Sequence, residues 1–191
     1  MKNLIPKINV FLLCFALAMP AFSQNTIQIT EKTGQKPPKT DRGKIPMVVL
    51  EAFTKEFSNV ANETWYGYPK FDDANDWYGY NPYLFEYVSP DFYVVEFDKD
   101  NAYHRVIYSK EGKKVAVHKK MTSDLPKSIT DAISKTRYRN WAITKEKEEI
   151  FRDLSMDKIK VYKVEVKNSR ERHQLFYSAE GNLLKDKTIK L

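Results

Sequence analysis

Cysteine, glycine and long apolar runs are all scarce in this sequence. The single cysteine, Cys14, lies in an apolar N-terminal stretch, and only six glycines occur in 191 residues. A lone cysteine excludes an internal disulfide framework, and so little glycine argues against a phosphate-cradling nucleotide loop. After residue 23 no run is long and apolar enough to cross a bilayer as a helix, so we expect no membrane span in the mature chain.

The first 23 residues have the order of a secretory signal peptide. Lys2 and Lys7 make the start positive, the stretch INVFLLCFALAMPAF is apolar but short for a membrane span, and Ala21-Phe22-Ser23 provides small residues at a cleavage site. We therefore expect cleavage after Ser23 and a periplasmic or secreted protein. The alternative, a retained membrane anchor, fits these flanks poorly.

The predicted mature chain has 168 residues (191 − 23) and a formal charge of about +5, because the signal removes two lysines and no acids (7 − 2 = 5). This length suits one compact domain, or two small repeats that share a core. Lysines and acids alternate along it, which is typical of a mixed, solvated surface. Basic clusters interleaved with aromatic residues are missing, so we expect no nucleic-acid partner.

Two proline-led segments predict helices. Residues 24–43 are polar and contain Pro37-Pro38, so we interpret them as a flexible leader. IPMVVLEAFTKEF, from Ile45, spaces its apolar residues by three and four, as an amphipathic helix does. LPKSITDAISKTRY, from Leu125, repeats this pattern at an offset of eighty (126 − 46 = 80).

The strand-like segments repeat as well, at a second offset. YSKEG from Tyr108 matches YSAEG from Tyr177, sixty-nine positions apart (177 − 108 = 69), and the runs before both motifs match too. A short polar loop that ends in glycine between apolar runs predicts a β-hairpin, with Gly112 and Gly181 at positive φ. We predict an α+β fold: two tandem helix-plus-antiparallel-sheet repeats, residues 44–120 and 121–191, with the helices packed on one face of the sheet.

The first repeat carries about eleven extra residues (80 − 69), within an aromatic insertion at about residues 65–92. We expect it to form extra strand and loop at one edge of that repeat. Neighbouring strand residues face opposite ways, so Trp-Tyr pairs cannot all enter one core. Two interpretations stay open, packing as a second layer and binding a partner. The candidate partner-binding residues are Trp65, Tyr66, Tyr68, Trp77, Tyr78, Tyr80 and Tyr83.

Motifs for catalysis, cofactors or metals are not found. His104 and His173 occupy duplicated positions, which favours a structural role over metal binding, and His118 is expected to be solvated. DDAND, Asp72 to Asp76, lacks the spacing of a calcium loop and favours a solvated turn over a Ca²⁺ site. We expect no enzyme activity, no cofactor and no bound metal.

The tandem order of these motifs, from Lys44 to Leu191, resembles the PepSY-like, beta-lactamase-inhibitor-like family of exported bacterial proteins. The resemblance implies helix-plus-antiparallel-sheet repeats, a periplasmic or secreted location, and binding rather than catalysis. The inhibitors that lend the family its name grip an enzyme with the concave face of such a sheet. They depend on disulfides, which this chain lacks, and the aromatic insertion is a further departure.

Two functions follow as expectations. The first is a non-enzymatic exported module that binds a protein partner and inhibits or modulates a hydrolase. The alternative is a glycan-binding protein that uses the Trp/Tyr-rich insertion, because flat aromatic rings stack on sugars.

Overall fold

The computed structural model describes residues 38–69, 77–79, 89–153 and 158–189. The predicted signal peptide, most of the predicted leader, the DDAND stretch, Tyr80 and Tyr83 lie outside these residues. The predictions made for them therefore stay predictions.

Nine strands of the described chain form one antiparallel sheet, in which each strand pairs with its neighbours in sequence. With two α-helices, the protein is an α+β fold that consists mostly of sheet. Neither helix is long and apolar enough to cross a membrane, as judged over the described residues. The elements are β1 (Lys39–Thr40), α1 (Met47–Glu56), β2 (Ala61–Tyr68), β3 (Phe92–Lys99), β4 (Ala102–Ser109), β5 (Lys114–Lys120), α2 (Lys127–Ser134), β6 (Ala142–Asp153), β7 (Lys158–Lys167), β8 (Arg172–Ser178) and β9 (Leu183–Ile189).

Each helix begins directly after a proline and buries two residues that are four positions apart. Val49 and Phe53 of α1 pack among residues of β2, β3 and β4. Ile129 and Ile133 of α2 pack among residues of β7 and β8. The spacing of four places both buried side chains on one stripe of the helix, which explains why such short helices bind firmly to the sheet.

Strand alternation divides the sheet side chains between two faces. The first face carries Val95, Val106, Val117 and Phe151, which the cross-strand register connects from β3 to β6. It continues on β7 with Tyr162, which pairs with Glu149, two residues before Phe151. The strand residues that pack with α1 and with α2 belong to this face. The second face has its own buried cluster, whose members on the strands include Val94, Ile107, Ile150, Val161 and Phe176. Both faces of the sheet therefore bury apolar side chains.

The ordered chain begins earlier than predicted. Lys39 and Thr40, inside the predicted leader of residues 24–43, form β1 and pair with Tyr66 and Trp65. Asp41 then accepts a hydrogen bond from the backbone N–H of Gly43 at 2.8 Å. Backbone pairing to the edge of β2 orders this polar stretch, which the composition alone did not indicate.

The two repeated turns have the predicted backbone conformation. Gly112 has φ 81° and Gly181 has φ 94°, so positive φ is confirmed at both glycines. Each turn also touches the first turn of a helix. A Cβ atom on Gly112 would lie 2.7 Å from the carbonyl oxygen of Val48, and one on Gly181 would lie 2.7 Å from that of Ser128. Glycine is needed here for both its φ and its lack of a side chain.

We predict that Gly112→Ala and Gly181→Ala each lower the free energy of unfolding by at least about 1–2 kcal/mol, because alanine resists positive φ and its Cβ meets a helix carbonyl. Urea denaturation measures the change. Gly43→Ala is the matched control, since its Cβ would approach Asp41 only to 3.4 Å. Equal losses in all three variants would contradict the argument.

Candidate binding face

Three of the proposed partner-binding rings belong to the sheet itself. Trp65, Tyr66 and Tyr68 lie in β2, which pairs with β3 along most of its length. Trp65 is 3% exposed and meets Phe53 edge-on at 5.3 Å on the first face. Tyr66 and Tyr68 are buried in the cluster of the second face. Consecutive rings of β2 face opposite sides of the sheet, as expected, but other side chains of the protein cover both sides.

Trp77 and Tyr78 pack over the second face instead of extending one edge of the first repeat. Trp77 is 5% exposed and belongs to the second-face cluster, with the Arg152 guanidinium 5.8 Å from its ring. The Tyr78 ring lies 5.3 Å from Trp77 and 5.5 Å from Phe176 of β8. Residues 77–79 therefore reach strands of the second half of the sheet.

Burial decides between the two interpretations for four of the seven candidates. Trp65, Tyr66, Tyr68 and Trp77 serve as packing, because an aromatic ring inside the chain's own core presents no surface to a partner. Tyr78 is only partly buried. A partner-binding role stays a prediction for Tyr78, Tyr80 and Tyr83, the last two of which lie outside the described residues.

A network of charged side chains and one histidine crosses the second face between the two halves of the sheet. Arg105 of β4 lies 3.2 Å from a carboxylate oxygen of Glu96 and 4.0 Å from one of Glu148. Glu148 of β6 is also 3.1 Å from Nδ1 of His118 and 2.9 Å from Nζ of Lys163. The network joins strands β3 to β7, so it holds the two halves in register.

His118 is not solvated, contrary to expectation. It is 4% exposed, and burial lowers its pKa, which favours the neutral ring and an Nδ1–H donor to Glu148. Burial acts to raise the pKa of Glu148. The hydrogen bond from His118 and the positive charges of Lys163 and Arg105 outweigh it and hold that pKa well below its usual range. Strand alternation turned this histidine inward, which its position near a strand end did not reveal.

The duplicated histidines are both buried but have different partners. Nδ1 of His104 lies 2.8 Å from the carbonyl oxygen of Ala102. Nδ1 of His173 lies 2.6 Å from a carboxylate oxygen of Asp186 and 3.0 Å from the Tyr138 hydroxyl. In the parts of the chain that the structure describes, no three His, Cys, Asp or Glu side chains are placed to hold a metal ion.

The second face changes character from one end of the sheet to the other. On β2–β4 it is aromatic and aliphatic, and these rings are buried. On β7–β9 it carries Lys163, Gln174, Lys185 and Lys187, all partly exposed, beside the buried Phe176. This polar stretch is the candidate binding face. Sequence reasoning missed it because its charges are dispersed along the chain and meet only through strand pairing.

Comparisons with known proteins support the fold. No family model matches the chain, and no curated protein matches it. A solved BLIP-like protein from Bacteroides fragilis is 16% identical with a TM-score of 0.53, covering 83% of this chain and 91% of its own. A DUF2874 family protein from Bacteroides ovatus is 20% identical with a TM-score of 0.51, covering 81% and 89%.

A third solved structure, from Bacteroides eggerthii and provisionally described as a periplasmic protein, is 14% identical with a TM-score of 0.53, covering 75% of this chain and 88% of its own. The protein therefore shares the sheet-and-helix fold of these solved structures. At such low identity the likeness establishes fold and leaves function to be argued from the residues.

We predict that Trp77→Ala lowers the free energy of unfolding by about 3–5 kcal/mol, because removal of the buried indole ring leaves a large cavity. Thermal or urea unfolding measures the change. Met47→Ala, at a helix position that is 67% exposed, is the control and should change stability by no more than about 0.5 kcal/mol. A Trp77→Ala variant as stable as the wild type would show that this ring does not pack in the core.

We also predict that the protein loses stability as the pH falls below about 6.5. The folded-state pKa of His118 is lowered from 6.5, so in this window the unfolded chain binds the proton and the folded chain does not. Glu148, whose pKa is lowered from 4.5, adds a second loss as the pH falls below that value. Urea unfolding between pH 7 and pH 3 measures both. His118→Gln should reduce the loss in the upper window, to which His104 also contributes because burial lowers its pKa as well. An unchanged profile in that variant would refute the assignment.

Proposed function

We propose that this protein is an exported, non-enzymatic module that binds a protein partner through the second face of β7–β9 and so modulates a hydrolase. One observation carries the proposal. On the first face, α2 packs on β7 and β8, whereas Gln174, Lys185 and Lys187 on the second face remain partly exposed. The inhibitor-like and periplasmic descriptions of the similar structures support the class of function and the location.

We further propose that the fold arose as two tandem helix-plus-sheet repeats, with both helices on the first face. β5 and β9 begin and end sixty-nine residues apart (183 − 114 and 189 − 120). Gly112 lies close to Val48, and Gly181 lies close to Ser128. The two glycines are sixty-nine residues apart (181 − 112) and the two helix residues are eighty apart (128 − 48), which are the two offsets found in the sequence. Matched contacts between matched residues are expected of a duplicated unit.

The non-enzymatic part of the proposal rests on the surroundings of His173. Its contact with Asp186 resembles the base of a catalytic triad, in which the other ring nitrogen faces a nucleophile. Here Nε2 of His173 lies 3.7 Å from the carboxylate of Glu171. Trp141 and Tyr138 cover the imidazole ring at 5.5 and 5.2 Å. A carboxylate in the nucleophile's place and a covered ring favour a structural pair.

A protein partner is favoured over a glycan because the two tryptophans of the aromatic segment are used internally. Trp65 and Trp77 are both buried, so neither offers a flat face to a carbohydrate. The exposed part of the second face instead offers cations and an amide on a rigid sheet, a surface that suits the polar groups of a protein.

Site-specific photocrosslinking in the exported full-length chain tests this proposal. A photoreactive residue at Gln174, on the second face, should crosslink to a protein partner. The same residue at Ser134, exposed on α2, is the control and should give no such adduct. Protein adducts from Ser134 and not from Gln174 would place binding on the helices and refute the proposed face. Carbohydrate adducts from Gln174 would favour the glycan alternative.

A further inference from the structure

The second face of β7–β9 concentrates positive charge that is dispersed in the sequence. Lys167 pairs with Arg172 across β7 and β8, and Gln174 pairs with Lys187 across β8 and β9. Phe176 lies between Lys163 on one side and Lys185 on the other. We call four of these cations the basic patch: Lys163, Lys167, Arg172 and Lys187.

Among the residues that the structure describes, two carboxylates approach the basic patch. Glu165 lies on the same face and approaches Arg172 to 3.5 Å, and Glu148 of β6 approaches Lys163 to 2.9 Å. Within these described residues, the four cations of the patch and the two carboxylates leave a local charge of +2 (4 − 2 = 2). Both carboxylates are largely buried, whereas Lys167 is exposed and Arg172 is 38% exposed, so the positive groups are the ones that meet solvent.

The first half of the chain shows that these strands do not need the cations in order to fold. Sixty-nine positions earlier, the residues on β3–β5 are different in charge. The corresponding residues of the first half are Val94 for Lys163, Asp98 for Lys167, Tyr103 for Arg172, Ala116 for Lys185 and His118 for Lys187. Those earlier residues also lie on the second face, as their cross-strand partners show. At these five positions, positive charge is therefore confined to the second half of the face.

We propose that the basic patch docks an acidic protein surface, an inference that rests on the proposed protein-binding function of this face. Opposite charge speeds encounter and aligns the partners, and arginine and lysine on paired strands are held at fixed spacings. Gln174 and Glu165 lie among the cations, so the patch presents donors and acceptors in a mixed pattern. Such a pattern suits carboxylates and amides of a protein better than a uniform layer of lipid phosphates.

Two triple variants of equal charge change test the patch. The patch variant, Lys167→Asp, Arg172→Tyr and Lys187→His, installs the residues of the first half at the corresponding positions. The control variant, Lys55→Asp, Lys135→Tyr and Lys145→His, changes exposed lysines elsewhere. Fluorescence anisotropy with a labelled oligoglutamate peptide should show affinity lower by about tenfold or more in the patch variant alone. Affinity should also fall as salt is added.

Equal affinity of both triple variants for oligoglutamate would overturn the inference. Binding of wild type to phosphatidylglycerol vesicles but not to oligoglutamate would overturn it in favour of a membrane surface. Crosslinking from Gln174 separates this inference from the proposed function. Adducts that persist in the patch variant leave protein binding intact and refute the acidic partner. If wild type gives no protein adduct, the proposed function fails, and the peptide measurement still decides whether the patch binds acidic chains.

Discussion

The whole structure depends on burying both faces of one nine-stranded sheet. The chain has a single cysteine and so no internal disulfide to restrict its unfolded state, and removal of apolar surface from water has to stabilise the fold. The two helices pack on the first face, and Trp77 and Tyr78 pack over part of the second. Aromatic residues are numerous because each one buries a large area, and a sheet covered on both sides needs them on both sides.

Where apolar burial gives way along the second face, a charged network takes its place. Arg105, His118, Glu148 and Lys163 are brought together from four consecutive strands. Buried charges are costly to desolvate, and pairing offsets that cost only when the geometry is close. Such a network adds little net stability, but it penalises any slip between strands, since a slip would leave a charge buried without its partner. We interpret it as the element that sets the register between the halves of the sheet.

The two halves share their first face and differ on the second. The helix-contacting residues of β3 and β7, such as Val95 and Val164, are alike, because a helix has to pack on both. On the second face the first half buries an apolar cluster beside the Glu96–Arg105 pair, whereas the second half is basic and partly exposed. If the proposed duplication holds, a unit that keeps its core and changes one surface leaves that surface available for recognition. This division of roles is why we propose the binding face on the second half.

The sequence by itself determined the local structure of this protein, and only tertiary structure decided which residues are surface. Proline followed by apolar spacings of four predicted α1 and α2, and a repeated motif ending in glycine predicted the turns at Gly112 and Gly181, because these depend on near neighbours. The burial of Trp65 and His118, the pairing of β1 with β2 and the basic patch depend on residues far away in the chain. Side chains such as Glu148 and Lys163 become neighbours only when strand register places them together, and their separation in the sequence does not reveal this.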